Sequence, residues 1–170
     1  MEAQLFDFGA PALRTDVTME PVEFTATIRM APHGKGRPKA VSIGGHARVY
    51  TPRASAEWEH FAAAELREAF ATWTGGAFDG ALGLEIVAIF ERPGELLKTV
   101  KRTGRHKYST FRIPYAQKPD ADNLAKSVCD AIEKAGLFSD DKTIALLTVG
   151  KHYAMIGELP HVEVRLWRLA

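Results

Sequence analysis

Val22-Glu23-Phe24-Thr25-Ala26-Thr27-Ile28-Arg29-Met30 alternates apolar and polar side chains, the period-two pattern of a half-buried strand. Leu82, Leu84, Ile86, Ala88 and Phe90 alternate with Gly83, Glu85, Val87, Ile89 and Glu91 in a second long strand. Thr143 to Tyr153 reads as a third. Val162, Val164 and Leu166 alternate with Glu163, Arg165 and Trp167 in a last one, and Arg48 to Tyr50 fits a short strand. Two segments follow the helical period instead. Trp58, Phe61, Ala62, Leu66, Ala69 and Phe70 predict the buried face of a helix from 56 to about 71, capped by Ser55 and ended by Gly75-Gly76. Leu124, Val128, Ile132 and Ala135 recur at spacings of four, four and three, a single apolar stripe. Pro119 disfavours helix for Lys118, Asp122 is a suitable N-cap and Gly136 stands at C′, so this helix is predicted over about 123–135.

Helices separated by groups of strands, rather than alternating with them, predict an α+β fold: a two-layer domain with a mixed β-sheet and two main helices. Residues 1–20 show no sustained periodicity and are expected to form a flexible N-terminal extension; 21–170 are expected to form a single domain. Pro32 to Gly45 reads as a Gly/Pro/basic loop. Arg92 to Pro119 is too long and polar for an ordinary connection, a length usually functional or disordered.

The 170 residues, 46% hydrophobic, suffice for one domain with a real core. No apolar run approaches the ~18 residues needed to span a bilayer, and Met1-Glu2-Ala3 lacks a basic signal-peptide start. Cys129 is the one cysteine, expected as a buried thiol. The histidines have no metal-site spacing, and phosphate-binding Gly-rich loops, nucleophile elbows and Cys-x-x-Cys pairs are missing. A cytoplasmic protein without an organic cofactor is the simplest expectation.

The net charge of +1 conceals segregation. Phe24 to Ala56 carries six Lys/Arg and no acid, and Arg92 to Pro119 carries eight against Glu95 alone, so these segments hold fourteen of the 22 basic residues. Glu57 to Glu91 reverses the bias, with seven acids against Arg67. Charge runs are usually solvated surface, but two basic segments flanking an acidic cluster suit nucleic acid. Tyr108, Phe111 and Tyr115 interleave with Arg105, Lys107 and Arg112; such aromatics can stack on bases or pack in the core.

The acidic cluster is Lys118-Pro119-Asp120-Ala121-Asp122-Asn123-Leu124-Ala125-Lys126, followed beyond the helix by Asp140-Asp141. Carboxylates of this kind suit hard cations such as Mg²⁺ or Mn²⁺. Asp-x-Asp before a helix is often only a cap, and Asp-Asp before a strand often only a turn. Asp122, Lys126 and Asp130 fall at i, i+4, i+8, with Asp130 better suited to pair Lys126 than to bind metal.

The whole pattern, Lys-Pro-Asp-x-Asp-Asn-Leu-x-Lys, then Asp-Ala, then Gly-Leu-Phe-Ser-Asp-Asp-Lys, resembles the RusA family of Holliday-junction endonucleases from Lys118 to Lys151. Pro32-His33-Gly34-Lys35-Gly36-Arg37-Pro38-Lys39 and Tyr50-Thr51-Pro52-Arg53 are similar to that family's basic loop and the turn into its first helix, with Lys39 where Arg is frequent. The resemblance implies a RusA-like fold and resolution of four-way DNA junctions by a homodimer making paired nicks. It implies Mg²⁺, with Mn²⁺ as a substitute, on Asp120, Asp122 and Asp141, and Lys126 as a catalytic lysine. Asp140 is a further metal candidate. Lys35, Arg37, Lys39, Arg53 and Lys118 are expected on the DNA, with Gly34 and Gly36 allowing close approach of its backbone. Lys151 is a further DNA candidate, or simply an exposed strand lysine.

For catalysis the turn carrying Asp141 must fold back toward the helix N-terminus or toward a neighbouring subunit's site. The dimer surface is expected at the last strand or the apolar face around Trp167, unless these pack in the core. Two other classes fit parts of the pattern: a non-catalytic branched-DNA-binding protein, and a small metal-dependent phosphohydrolase. Gln4-Leu5-Phe6-Asp7-Phe8 loosely resembles peptides that bind the bacterial sliding clamp, although docking on its own domain is the simpler expectation.

Overall fold

A computed structural model describes residues 23–37, 39–43, 46–99, 101–108 and 110–169, with side chains left undescribed at 39–43 and 46–49. The expected extension 1–20, including the clamp-like stretch 4–8, lies outside the described residues. The elements are β1 (Glu23–Ile28), β2 (Lys39–Ile43), β3 (His46–Tyr50), α1 (Arg53–Ala71), β4 (Leu82–Phe90), β5 (Ile113–Pro114), α2 (Ala121–Ala135), β6 (Ile144–Tyr153) and β7 (His161–Arg168). A five-stranded sheet runs β1-β7-β4-β6-β5, and β2 with β3 forms a separate antiparallel pair. The β4–β6 pair is parallel; β1–β7, β4–β7 and β5–β6 are antiparallel. The expected mixed sheet and α+β class are therefore present.

Registry explains which face is buried. Phe24, Ala26 and Ile28 stand opposite Leu166, Val164 and Val162, which in turn oppose Leu84, Ile86 and Ala88. These cross-strand rows form one face and pack with Trp58, Ala62 and Leu66 of α1 and Leu124, Val128 and Ile132 of α2 in a common core. Full burial of each such aliphatic side chain contributes roughly 1.5–3 kcal/mol. The alternate residues Thr25, Glu85 and Arg165 stay wetter, and Arg165 joins Glu85 (2.9 Å) and Glu23 (3.5 Å) across three strands.

Several expectations are corrected. β7 lies between β1 and β4, so neither of its edges is open to a second subunit. Trp167 lies against Gly83, where a Cβ would come closer than 3.0 Å to the indole. The segment expected as loop through Gly45 contains β2, paired with β3. Phe61 is 56% exposed, because the buried stripe of α1 runs through Ser55, Trp58, Glu59, Ala62, Ala63 and Leu66 and leaves it on the flank. Ser55 does not cap α1; it lies inside the helix, and its Oγ accepts from the Gly36 N–H at 3.0 Å. Asp120, not Asp122, occupies the N-cap position of α2, while Asp122 falls in the first turn where the helix dipole favours it. Gly136 ends α2 in the left-handed conformation at φ 81°, as its position predicts.

Candidate metal and nucleic-acid site

The Lys-Pro-Asp turn enters α2 and the basic loop folds directly onto it. The Lys35 N–H donates to the Asn123 carbonyl at 2.9 Å. Gly34 fits against Pro119 so closely that a Cβ there would come within 3.0 Å of the proline ring. Gly36 is pressed against Pro52 and Ser55. The two glycines thus let the basic loop pack closely on the rest of the chain. His33 adds a contact from its Nε2 to Ser55 Oγ at 3.0 Å, and Trp58 Nε1 donates to the Ala31 carbonyl at 2.9 Å. The loop is a fixed wall. Gly34, Lys35, Arg37, Lys118, Pro119, Asp120 and Asn123 together line one open groove.

Within that groove Arg37, Lys118 and Asp120 are exposed. Asp120 makes no side-chain capping bond despite its position, so its carboxylate is not spent on the helix. Asp122 meets Lys126 one turn on, at 3.6 Å, with both side chains largely exposed. Such a pair is held by little more than a few tenths of a kcal/mol and yields readily to a stronger ligand.

The second acidic pair divides its labour. Asp140 accepts from the Lys142 N–H and from Lys142 Nζ, both at 2.9 Å, and so caps the 3₁₀ turn Asp141–Thr143. Those bonds, side-chain first, hold its carboxyl below the usual range. Asp141 stays exposed beside it. Burial first, then the charges of Asp141 and Asp130, pushes the Cys129 thiol up to about 12. Cys129 is buried, as expected for the lone thiol. Asp122, Lys126 and Cys129 share one side of α2. Among the described residues, Asp120, Asp122 and Asp141 do not all bring ligand atoms within 4.8 Å of one another.

The donor set is hard oxygen throughout and exposed, which fits a divalent cation. Among the described residues, the trio whose ligand atoms do lie within 4.8 Å is Glu158, His161 and Glu163. Arg112 already occupies this trio, bonding Glu158 and lying 2.6 Å from Glu163.

Several expected DNA cations have other duties. Lys35 binds Asp130 and lies 3.8 Å from Glu59, which is only 3% exposed and is also held by Lys134. Burial alone would lower the Lys35 ammonium; Asp130 and then Glu59 outweigh it and hold it above its ordinary value. Asp130 is thus the partner of Lys35, not of Lys126. Arg92 is buried, donating to the Ala154 and Phe111 carbonyls. Arg53 pairs with Glu57 at 2.7 Å on the exposed start of α1. Lys39's side chain lies outside the described residues. Lys151 donates to the Gln117 and Pro119 carbonyls, both at 2.7 Å, a structural link that no local pattern signals. Tyr115 packs on Phe90 with ring centroids 3.8 Å apart, whereas Phe111 is 73% exposed.

Among the described residues between Arg92 and Pro119, Arg92 bonds the Ala154 carbonyl, Arg112 pairs with Glu158, and Thr99 forms an antiparallel bridge with His106. The segment carries Lys101, Arg102, Arg105 and Lys107 on an exposed arm.

Exposed carboxylates at the start of α2 thus lie beside Arg37 and Lys118 of the same groove. The family model of the endodeoxyribonuclease RusA matches residues 29–167, and the chain belongs to that family. It is accordingly a nuclease. None of the curated proteins matches it. Among the described residues no helix is long and apolar enough to cross a membrane.

Proposed function

We propose that the chain is a Mg²⁺-dependent endonuclease that resolves four-way DNA junctions by paired nicks. The observation that carries this reading is the shared groove, in which the uncommitted Asp120 carboxylate stands beside Arg37 and Lys118. Asp120, Asp122 and Asp141 would hold the cation. Bound there, it supplies an activated water, charge neutralisation at the scissile phosphate and stabilisation of the leaving 3′ oxygen. Lys126, free to leave its weak pair with Asp122, meets the charge that develops on the phosphoryl oxygens. Arg37 and Lys118 take the flanking phosphates, and the arm with Lys101, Arg102, Arg105 and Lys107 reaches further along a duplex limb. Asp140 shapes the turn rather than binding metal.

A homodimer matches the two-fold symmetry of a four-way junction. The open edge of β6 supports it. β6 pairs with β4, and among the described residues its other edge is met by β5 at His152 and Tyr153 and by the Tyr115 N–H at the Lys151 carbonyl. Ile144-Ala145-Leu146-Leu147-Thr148-Val149-Gly150 is uncharged, with Leu146 47% and Leu147 46% exposed. An edge without charge is one that proteins ordinarily cover, and a strand pairing with its own copy about a two-fold axis is self-complementary. Residues 21–170 would act as one endonuclease domain in each subunit.

The deciding experiment compares a four-way junction, a linear duplex of the same sequence and nucleoside monophosphates, each with Mg²⁺ and with chelator. Metal-dependent symmetric nicking of the junction alone is expected, lost in Asp122→Asn. Junction binding without cleavage would favour a non-catalytic binder, and hydrolysis of monophosphates a small phosphohydrolase.

A further inference from the structure

We infer that Lys151 is a positioning residue for this site: with Tyr115 it clamps the backbone that aims Asp120, and it takes no DNA phosphate. The inference rests on the endonuclease reading and adds to it a residue that touches neither metal nor substrate.

Three consecutive carbonyls lead into α2, and each is taken by a donor from one small cluster. Lys151 Nζ donates to the Gln117 and Pro119 carbonyls, both at 2.7 Å. Tyr115 Oη donates to the Lys118 carbonyl between them at 2.6 Å. The next carbonyl, that of Asp120, accepts from the Leu124 N–H at 3.1 Å and opens the helix. No carbonyl from Gln117 to Asp120 is left to turn freely.

The cluster is itself braced. The Lys151 ammonium lies 5.3 Å from the centroid of the Tyr115 ring, a cation–π distance. That ring stacks on Phe90 at an interplanar angle of 8° and meets Tyr153 edge-on at 4.8 Å. The Tyr115 N–H returns to the Lys151 carbonyl at 2.9 Å. Phe90 and Tyr153 are paired neighbours at the ends of β4 and β6, so the clamp is built on the sheet and not on a loop.

An ammonium has three donors. Two are spent on carbonyls of its own chain, and the side chain is half-buried. A phosphate contact would have to compete with both. Without the ammonium and the hydroxyl these carbonyls would turn to water, and the backbone would lose its fixed partners. Removal of the ammonium frees the turn one residue before Asp120, where a displacement of the carboxylate acts on the chemistry and not on DNA contact.

The test uses the full chain with Lys151→Met and Lys151→Arg. Junction affinity and its salt dependence are measured in chelator, Mn²⁺ affinity by calorimetry without DNA, and hydrogen exchange at the amides of residues 118 and 120–123. For Lys151→Met the expected result is junction affinity and salt slope as in wild type, severalfold weaker Mn²⁺ binding, faster exchange in that segment, and cleavage down by roughly 10²-fold. Lys151→Arg, which can still donate to two carbonyls, should recover part of each loss. A salt slope lowered by about one would make Lys151 a phosphate contact and overturn the inference. So would unchanged exchange and Mn²⁺ affinity in Lys151→Met. If wild type neither binds Mn²⁺ nor cuts DNA, the endonuclease reading fails, while the exchange measurement still decides the clamp.

Discussion

Gly34→Ala tests whether the basic loop and the Asp120 turn act as one rigid body. The new methyl would come within 3.0 Å of the Pro119 Cβ and stand 3.2 Å from its Cγ and 3.6 Å from the Asn123 Cβ. Gly34 is not in the left-handed region, so the whole effect is steric. Overpacking of this kind costs about 1–3 kcal/mol. With a urea m-value near 2 kcal/mol/M, the unfolding midpoint should drop by roughly 0.5–1.5 M. A domain stable by about 5–15 kcal/mol stays folded through such a loss, so any fall in activity must come from geometry. Relief requires Pro119 to move, and Asp120 follows it directly; a shift on the order of 1 Å costs about 10²-fold in rate. Gly36→Ala is the control. Its methyl would lie 2.8 Å from Pro52 Cγ and 3.1 Å from Ser55 Oγ, pressing on the start of α1 instead. Urea titration and single-turnover cleavage of one junction are measured on both. The expected pattern is comparable loss of stability, with cleavage collapsing only in Gly34→Ala. Wild-type cleavage by Gly34→Ala, or an equal loss in Gly36→Ala, would refute the coupling between loop and carboxylate.

Arg37→Ala should lower the salt slope of junction binding by about one, whereas Lys35→Ala should leave the slope alone and cost about 1–3 kcal/mol in urea by stripping a partner from the buried Glu59; equal slopes for the two variants would count against that division. Glu158 and Glu163 are held below the usual carboxylate range, first by the hydrogen bonds from Arg112. Their contribution is therefore complete above the unfolded value near 4.3 and is lost as pH falls through the lower folded values. Thermal melts should show an acid limb below about pH 4, flattened in Arg112→Gln; an unchanged limb would exclude this triad as its source. Leu147→Lys should yield a monomer in sedimentation at micromolar concentration while still folding; a dimer that persists would place the interface elsewhere than the β6 edge.

α2 is legible in the sequence because its stripe, its proline boundary and Gly136 all point to one helix. β1, β3, β4, β6 and β7 lie within two residues of the strands read in the sequence, whereas the two-residue β5 sits inside the Arg92–Pro119 segment and carries no alternation to read. β2 is hidden because lysine and serine interrupt a short apolar run inside a basic, glycine-rich stretch; the Gly44-Gly45 pair between two short runs is the hairpin signal that could have found it. The acidic cluster stands out in the sequence by its spacing, but the contacts of the basic residues do not. Lys35 meets Asp130 across 95 positions, and Lys151 meets Gln117 across 34, distances at which no local pattern carries information. A glycine beside lysines announces close approach without saying of what, and at Gly34 the neighbour is Pro119.

The parallel pairing of β4 with β6 has a consequence for how the enzyme comes into being. Parallel neighbours need a crossover, and here the crossover holds the basic arm, the Asp120 turn and α2, with Asp141 at its end. A growing polypeptide that has extruded the Asp120–Asp122 helix has neither Asp141 nor the lysine that steadies Asp120, because both arrive with β6. Pairing of strands so distant along the chain is also slow relative to local helix formation. Nuclease activity should therefore be absent from nascent and partly folded chains, and should rise during refolding only as the β4–β6 ladder closes.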